Sequence, residues 1–268
     1  MNGSATYFSH IALEFDVLSG WRVATITLSR PDTQNFIDAA MAEEIREACA
    51  TIHEDDRCRL VVLTGSGSGP DNCFSRGRST LLDSEFPASE QIERLKVADA
   101  LAALEIPVLV AVNGAATGHG LELALAGDIR LASEEAHFAL WESGQSPIAW
   151  DGGTQRLPRL VGPAWALDMA LTGRRLDASE ALQIGLVNRV VPGHELRGAT
   201  RQLAEAILAS APIASRFAKE AVRKGMDLTL EQGLRLEADL SIILQSTEDR
   251  KEGIASFLQR RQPGFAGS

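Results

Sequence analysis

One segment of this chain, from Val108 to Arg130, constrains the fold more than any other. It reads VLVAVNGAATGHGLELALAGDIR. Its first five residues are apolar and largely β-branched, which predicts a short buried strand. Small residues then predict a turn, and a helix follows whose residues are apolar apart from one acid, Glu122. A helix that is apolar on all sides is expected to lie inside the protein.

The turn before this helix has a chemical consequence. Gly118, His119 and Gly120 lead into the helix, and the first turn of a helix presents N–H groups without partners at the positive end of the helix dipole. Such a place binds an anion or stabilises a negative charge that develops in a reaction. A carboxylate among apolar residues, as expected for Glu122, has a raised pKa and can exchange protons near neutral pH.

Composition excludes several classes of function. The 268 residues carry a net charge of −10, and the isoelectric point is about 5.1, which argues against general binding to nucleic acid or to anionic membranes. The three cysteines have no CxxC spacing and the five histidines have no metal-ligand spacing, so we expect neither disulfides nor a metal site. With no secretory leader and no apolar run of about 18 residues, we expect a cytoplasmic protein.

Periodicity predicts strands that alternate with helices up to about Gly193, followed by helices alone. Strands are predicted around Ile11–Phe15 and at Val23–Leu28, Leu60–Thr64, Val108–Val112, Asp128–Ala132, Ala136–Leu140 and Gly185–Val191. Helices are predicted at Asp38–His53, Ala88–Leu104, Pro163–Leu171, Ala178–Ile184, Glu195–Ala209, Ile213–Met226, Leu230–Gln245 and Asp249–Arg261. This order indicates an α/β core, residues 1–195, and an all-helical segment, residues 196–268.

The helix predicted at Leu230–Gln245 carries more apolar residues than one face needs. Two interpretations stay open. The helix packs on the core of its own chain, or it forms an interface between copies, which the small amount of remaining chain favours.

Six ordered segments between Ile26 and Phe265 resemble the enoyl-CoA hydratase/isomerase, or crotonase, superfamily. They are ITLSRPDTQNFID, LVVLTGSGSGPDNCFSRGRS, AVNGAATGHGLELALAGDIR, GGTQRLPRLVG, LTGRRLDASEALQIGLVNRVV and EDRKEGIASFLQRRQPGF. The resemblance implies a spiral of ββα units with a C-terminal helical segment that forms trimers and serves as a lid over the acyl-CoA site. It does not fix the reaction, because this scaffold hosts hydratases, isomerases and carbon–carbon hydrolases.

The resemblance also implies an oxyanion hole for a thioester enolate. Its two donors would be the main-chain N–H groups of Arg78 and His119, with Gly118 beside the substrate. Both donor positions depart from the family pattern, which has a small residue and a glycine there. The His119 side chain is open to three interpretations: neutral packing, a contact to substrate, or an acid/base group.

Two glutamates match the acids of the hydratases. Glu122 aligns with the first and Glu142 with the second, and such a pair would activate water at Cβ and exchange the proton at Cα. Glu122 as a simple helix-terminal acid, and Glu142 as a surface acid, are the alternatives. Trp141, which precedes Glu142, replaces a common proline and is a candidate contact to substrate.

The loop SPIAWDGG departs most from the family. Trp150 replaces a glycine and is expected to add a wall to the acyl pocket, favouring compact or cyclic acyl groups. Asp151 adds a third carboxylate, which is either a catalytic or recognition group or a cap for the helix that follows.

The resemblance implies that coenzyme A enters as part of the substrate and that no separate cofactor is needed. Its phosphates need cations, for which the candidates are Arg30, Arg78, Arg260 and Arg261. The implied assembly is a homotrimer or a dimer of trimers.

Three functions follow as hypotheses. The first is an enoyl-CoA hydratase with Glu122 and Glu142 as its acid/base pair. The second is an isomerase or carbon–carbon hydrolase of the same superfamily that uses Glu142 and Asp151. The third is a non-catalytic acyl-CoA-binding relative, which the presence of both glutamates makes the weakest.

Overall fold

The computed structural model describes residues 8–67, 73–77, 86–141 and 148–268. Its strands form two sheets. The larger sheet contains β1 (Ile11–Leu18), β2 (Trp21–Leu28), β3 (Cys58–Gly65), β5 (Val108–Val112), β7 (Ile129–Ser133) and β10 (Arg189–Val191), in that spatial order. The smaller sheet contains β4 (Cys73–Arg76), β6 (Ala115–Thr117), β8 (His137–Ala139) and β9 (Leu176–Asp177).

Helices separate the strands and then follow them. Within the core they are α1 (Ala39–His53), α2 (Ala88–Leu95), α3 (Ala98–Ala102), α4 (His119–Leu125), α5 (Gly153–Thr172) and α6 (Ala178–Gln183). After the last strand come α7 (Leu196–Leu208), α8 (Pro212–Gly225), α9 (Leu230–Leu244) and α10 (Glu248–Gln259).

The chain winds as a spiral. Three successive strand pairs, β3–β4, β5–β6 and β7–β8, each place their first strand in the larger sheet and their second in the smaller sheet before a helix follows. Strands within each sheet are parallel except for the antiparallel pairs β1–β2 and β8–β9. The α/β organisation predicted from periodicity and the spiral of ββα units implied by the resemblance are both confirmed. The division into a core, 1–195, and a helical segment, 196–268, stays a prediction.

The core lies between the larger sheet and the helices. All five residues of β5 are buried, as expected for a central parallel strand. Helix α1 buries the predicted face of Met41, Ile45, Ala48 and Ile52. At its start the carboxylate of Asp38 accepts a hydrogen bond from the N–H of Met41, which is an N-cap.

Three predicted elements differ from the structure. The helix predicted over Ala88–Leu104 is two helices, α2 and α3, separated at Lys96 and Val97. The strand predicted over Gly185–Val191 shortens to β10. Helix α5 begins ten residues before the predicted Pro163, and it includes a kink where Gly162 has the non-helical angles φ 81°, ψ 159°.

One acidic residue of the core, Asp128, binds two basic side chains of the C-terminal helices. Asp128, which follows α4, forms ion pairs with Lys219 at 2.8 Å and Arg223 at 2.8 Å on α8. The same carboxylate accepts the N–H of Val108 at 2.7 Å. Because these groups are largely shielded from water, the contacts fix α8 against the end of β5.

Helix α9 packs only one of its large apolar residues fully. Leu240 is buried, whereas Leu230, Leu234, Ile242 and Ile243 are exposed. Packing on its own chain therefore does not account for this helix. Across the described ranges, no helix combines the length and the apolar character needed to cross a bilayer.

Candidate active site

The site begins where two neighbouring strands of the smaller sheet end side by side. Arg76 at the end of β4 is paired with Thr117 at the end of β6, and the strands are parallel. The N–H of Gly77 continues the ladder with a 2.8 Å hydrogen bond to the carbonyl of Thr117. Because the strands are parallel, the residues that follow each of them emerge at the same edge of the sheet.

Glycines allow the two emerging chains to touch. A Cβ on Gly77 would lie 2.2 Å from the main-chain nitrogen of His119, and one on Gly118 would lie 2.6 Å from the carbonyl oxygen of Gly77. A Cβ on Gly120 would lie 2.1 Å from the carbonyl oxygen of Ser75. Gly118 also has φ 55° and ψ −127°, which residues with a side chain rarely adopt. The first N–H groups of α4 are therefore held against the residue that precedes position 78.

The loop after β2 stabilises this arrangement through Asn35. The buried side chain of Asn35 donates hydrogen bonds to the carbonyls of Cys73, at 2.9 Å, and Phe74, at 3.1 Å. The main-chain carbonyl of Asn35 accepts the Ser75 hydroxyl at 2.8 Å. The first of the six sequence motifs, ITLSRPDTQNFID, thus holds in place the strand that leads to Gly77.

Glu122 lies one turn into α4 with its side chain buried. Its Oε1 atom accepts the N–H groups of Asp151, at 2.7 Å, and Gly153, at 2.8 Å. Burial raises the pKa of Glu122 above its ordinary value, although the charge of His119 and these two N–H groups act in the opposite direction. Because Oε1 is already an acceptor of two hydrogen bonds, a proton on this carboxyl resides on Oε2.

Asp151 and His119 form a buried pair. The Oδ2 atom of Asp151 lies 2.9 Å from Nε2 of His119, and each side chain is 1% exposed. The same oxygen accepts the N–H groups of Val97 at 2.9 Å and Ala98 at 3.0 Å. Burial alone would raise the pKa of Asp151, but these hydrogen bonds and the His119 charge outweigh it and hold the pKa below its ordinary value.

The carboxylate of Asp151 contacts the start of α3 and not the start of α5. Helix α5 has Gly152 as its N-cap residue, without a side-chain hydrogen bond, so Asp151 does not cap the helix that follows it. Its carboxylate instead binds the N–H groups at the start of α3. These contacts lie at the break between α2 and α3.

The two candidate tryptophans lie in different places. The ring of Trp150 packs beside the His119 ring, with 4.5 Å between the ring centroids and 49° between the ring planes. The indole N–H of Trp141 binds the carbonyl of Ala170 at 2.8 Å, and its ring lies against Gly173 at the far end of α5. Trp150 therefore contacts the buried pair, whereas the Trp141 ring packs against the C-terminal end of α5.

Two of the candidate arginines, Arg30 and Arg261, form ion pairs with acidic side chains. Arg30 forms an ion pair with Asp38 at 2.5 Å. Arg261 binds both carboxylate oxygens of Glu252, at 2.5 and 2.7 Å, which lowers the pKa of Glu252 to about 2. Arg260 is exposed and ends α10 in the left-handed conformation, with φ 51°. Binding of a coenzyme phosphate by these residues stays a prediction.

Two predicted residues, Arg78 and Glu142, lie outside the described residues. Sequence reasoning did not identify the His119–Asp151 pair, although it singled out both residues. The signal available was that His119 replaces a glycine of the family pattern and that Asp151 adds a carboxylate in the loop that departs most from it. Among the described residues, no cluster of three or more acidic, histidine or cysteine side chains is arranged to hold a metal ion.

Comparison with known proteins finds enzymes that are similar to this chain over most of its length. The family model described as Enoyl-CoA hydratase/isomerase matches residues 20–268. Crotonyl-CoA hydratase of Syntrophomonas wolfei is 36% identical over 249 residues, which cover 91% of this chain and 94% of that protein. (E)-benzylidenesuccinyl-CoA hydratase of Thauera aromatica is 38% identical over 251 residues, which cover 92% and 96% respectively.

A solved structure shows the same fold. The crystal structure of enoyl-CoA hydratase from Bacillus anthracis superposes with a TM-score of 0.90 and 35% sequence identity. The match covers 97% of this chain and 100% of that one.

Proposed function

Because the chain belongs to the enoyl-CoA hydratase/isomerase family of enzymes, we propose that it adds water across the 2,3 double bond of a 2-enoyl-CoA thioester. The observation that carries this proposal is the position of Glu122. Its buried carboxyl, with a raised pKa, lies one helical turn beyond His119, whose main-chain N–H is packed against Gly77. A proton donor therefore lies next to a place that stabilises negative charge.

The reaction uses these groups in one sequence. The thioester oxygen accepts the main-chain N–H groups of His119 and Arg78, which stabilise the negative charge as water adds to Cβ. Each donor of this kind is typically worth about 3–4 kcal/mol of transition-state stabilisation. Glu122 and Glu142 act as the acid/base pair that activates the water and places a proton on Cα. Coenzyme A is part of the substrate, and the chemistry requires no further cofactor.

The acyl group is proposed to be compact. Trp150 stands where the family has a glycine, and its ring packs beside His119. Two relatives act, by name, on crotonyl-CoA and (E)-benzylidenesuccinyl-CoA. One acyl group is short and the other carries a ring, and neither is a long flexible chain.

The decisive experiment follows the loss of the conjugated thioester absorbance of crotonyl-CoA. The variants Glu122→Gln and Glu142→Gln should each lower kcat by about 10²-fold or more, since general acid/base groups contribute about 10²–10⁴-fold. Glu134→Gln, at an exposed position directly after β7, should leave the rate unchanged. Absence of activity in the unmodified enzyme would contradict the proposal.

A second candidate is an isomerase or carbon–carbon hydrolase that uses Glu142 and Asp151. The buried His119–Asp151 pair favours it, because a histidine oriented by a carboxylate is a familiar catalytic unit. Oδ2 of Asp151 is nevertheless already bound by three hydrogen-bond partners, which keep the carboxylate ionised. If Asp151→Asn removes activity while Glu122→Gln does not, the second candidate replaces the first.

A further inference from the structure

We propose that the His119–Asp151 pair is a clamp that positions Glu122, so that His119 and Asp151 are positioning residues for the hydration reaction. This inference rests on the proposed function and adds to it. It concerns His119, which stands where the family pattern has a glycine, and Asp151, the additional carboxylate of the SPIAWDGG loop.

The contacts form a continuous chain of hydrogen bonds. The His119 ring binds the Asp151 carboxylate at 2.9 Å, and the N–H of Asp151 binds Oε1 of Glu122 at 2.7 Å. His119 and Glu122 are three residues apart on α4, so they lie on the same side of the helix. Asp151 therefore joins the loop before α5 to α4 at two points. Its carboxylate binds the ring of His119, and its main-chain N–H binds the carboxyl of Glu122.

Asp151 is well suited to the role of an anchor. Its Oδ2 atom accepts three hydrogen bonds in a buried setting, two of them from the main chain at Val97 and Ala98. Charge-assisted hydrogen bonds of this kind are stronger than those between neutral groups. A carboxylate fixed by three donors holds its own main-chain N–H in place, and that N–H fixes the carboxyl of Glu122.

The same histidine connects both halves of the site. Its main-chain N–H is the proposed donor to the thioester oxygen, while its ring holds the loop that orients Glu122. The distance between the oxyanion position and the acid is thus set within one short hydrogen-bonded unit. A displacement of about 1 Å in such a unit costs about 10²-fold in rate.

The protonation of Glu122 should report on the clamp. Within the described residues, the charged groups around the pair are Glu122 itself, Lys96, Asp99 and Arg156. Arg156 binds the Asp151 carbonyl at 2.9 Å and the Asp99 carboxylate at 2.5 Å. Loss of the N–H donated by Asp151 removes a contact that favours ionised Glu122, so the pKa of Glu122 should rise further.

The test compares two substitutions of His119. The amide of Gln reaches about as far as Nε2 and can still donate to Asp151, whereas Leu fills the space without a donor. His119→Leu should lower kcat for crotonyl-CoA about 10²-fold with little change in KM. The limb of its pH profile that reports Glu122 should also move to higher pH. His119→Gln should restore most of the rate, and its pH profile should move less than that of His119→Leu.

Two results would overturn the clamp. If Gln and Leu lower kcat equally, the ring acts as an acid or base, and if neither lowers it, the ring only fills space. Asp151→Asn and Asp151→Leu repeat the comparison from the other side, since Asn can still accept and Leu cannot. This second pair decides the question if His119→Leu does not fold.

A titration without substrate separates this inference from the proposed function. The ionisation of Glu122 can be followed by NMR of ¹³C-labelled glutamate carboxyls, with Glu122→Gln assigning the signal. An enzyme that does not hydrate crotonyl-CoA, but whose Glu122 pKa rises further in His119→Leu than in His119→Gln, keeps the clamp and loses the proposed function, because both variants lack the His119 charge and only Leu lacks the donor. The same Glu122 pKa in both variants contradicts the clamp.

Discussion

Gly77 lies so close to His119 that a Cβ on Gly77 would be 2.2 Å from the His119 main-chain nitrogen and 2.6 Å from its Cβ. Real atoms do not approach at these distances, so a side chain at Gly77 requires the two chain segments to separate. The proposed oxyanion donors are the N–H groups of the residue after Gly77 and of His119 itself. Their spacing therefore depends on a glycine whose role is only to be small.

Gly77→Ala should impair both activity and stability. Overpacking of a tight site typically costs about 1–3 kcal/mol, and separation of the two donors should lower kcat about 10²-fold or more. Gly198→Ala is the matched control. Gly198 is exposed in α7 and has open space where a Cβ would lie, so alanine there should stabilise the helix by about 0.5–1 kcal/mol. Urea unfolding and crotonyl-CoA kinetics measure both effects. Equal behaviour of the two variants would contradict the role given to Gly77.

Glu122→Gln should change how stability depends on pH. Because burial raises the pKa of Glu122, the folded protein holds this proton more tightly than the unfolded chain. Stability from this group is thus fully present below the unfolded pKa of about 4.3 and is lost as pH rises toward the folded pKa. The glutamine variant lacks this loss. Its Tm relative to the unmodified enzyme should rise with pH above about 4.3, and a difference that is constant with pH would contradict the prediction.

Asn35→Ala should weaken the strand that leads to the site. It removes a donor from the buried carbonyls of Cys73 and Phe74, and a buried polar group that loses its partner costs about 1–3 kcal/mol. We expect a loss of roughly 2 kcal/mol or more together with lower kcat. Thr33→Ala serves as the control, because that exposed hydroxyl makes one 3.2 Å hydrogen bond nearby. Chemical unfolding of both variants checks the prediction, which fails if their stabilities match.

Trp150→Ala should widen the range of acyl groups. The Trp150 ring packs beside His119, so its removal opens space at the proposed acyl pocket. The ratio of kcat/KM for decenoyl-CoA over crotonyl-CoA should rise relative to the unmodified enzyme. Trp165→Ala removes a tryptophan that instead stacks with Arg174, at 5.0 Å, and should leave the ratio unchanged. A ratio that falls in Trp150→Ala would refute the assignment of this ring as a wall.

Much of the fold could be predicted because apolar periodicity is a local property. Strand β5 and the buried face of α1 follow directly from it. Strands β4 and β6 were not predicted, since their segments of four and three residues lie beside glycine-rich sequence and are fixed by main-chain pairing. The break between α2 and α3 is hidden for a related reason. It coincides with hydrogen bonds to Asp151, which lies more than fifty residues further along the chain.

The residues of the candidate site also include some that could be predicted from local sequence and some that could not. Glu122 and the His119 main chain could be singled out because strand, turn and acid lie within one continuous segment. The partners of Asp151 could not, because they come from separate parts of the chain that only the fold brings together. The clamp is thus a tertiary feature built from residues whose separate identities the sequence already makes unusual.

The exposed apolar residues of α9 lead us to expect that the chain self-associates. Its Leu230, Leu234 and Ile242 are 80%, 56% and 68% exposed, and apolar surface of this extent on one helix is typical of an interface. We expect the 28.8 kDa chain to elute as a trimer or a hexamer. Leu234→Glu with Ile242→Glu should shift it to smaller species, because burial of two carboxylates opposes association.

The control places the same change elsewhere. Val17 on β1 is 76% exposed, and Val17→Glu should leave the elution volume unchanged if α9 rather than apolar surface in general forms the contact. Size-exclusion chromatography with light scattering measures both variants. A single 28.8 kDa species for the unmodified enzyme would show that α9 stays uncovered in solution, whereas dissociation by Val17→Glu alone would move the interface from α9 to the edge of the larger sheet.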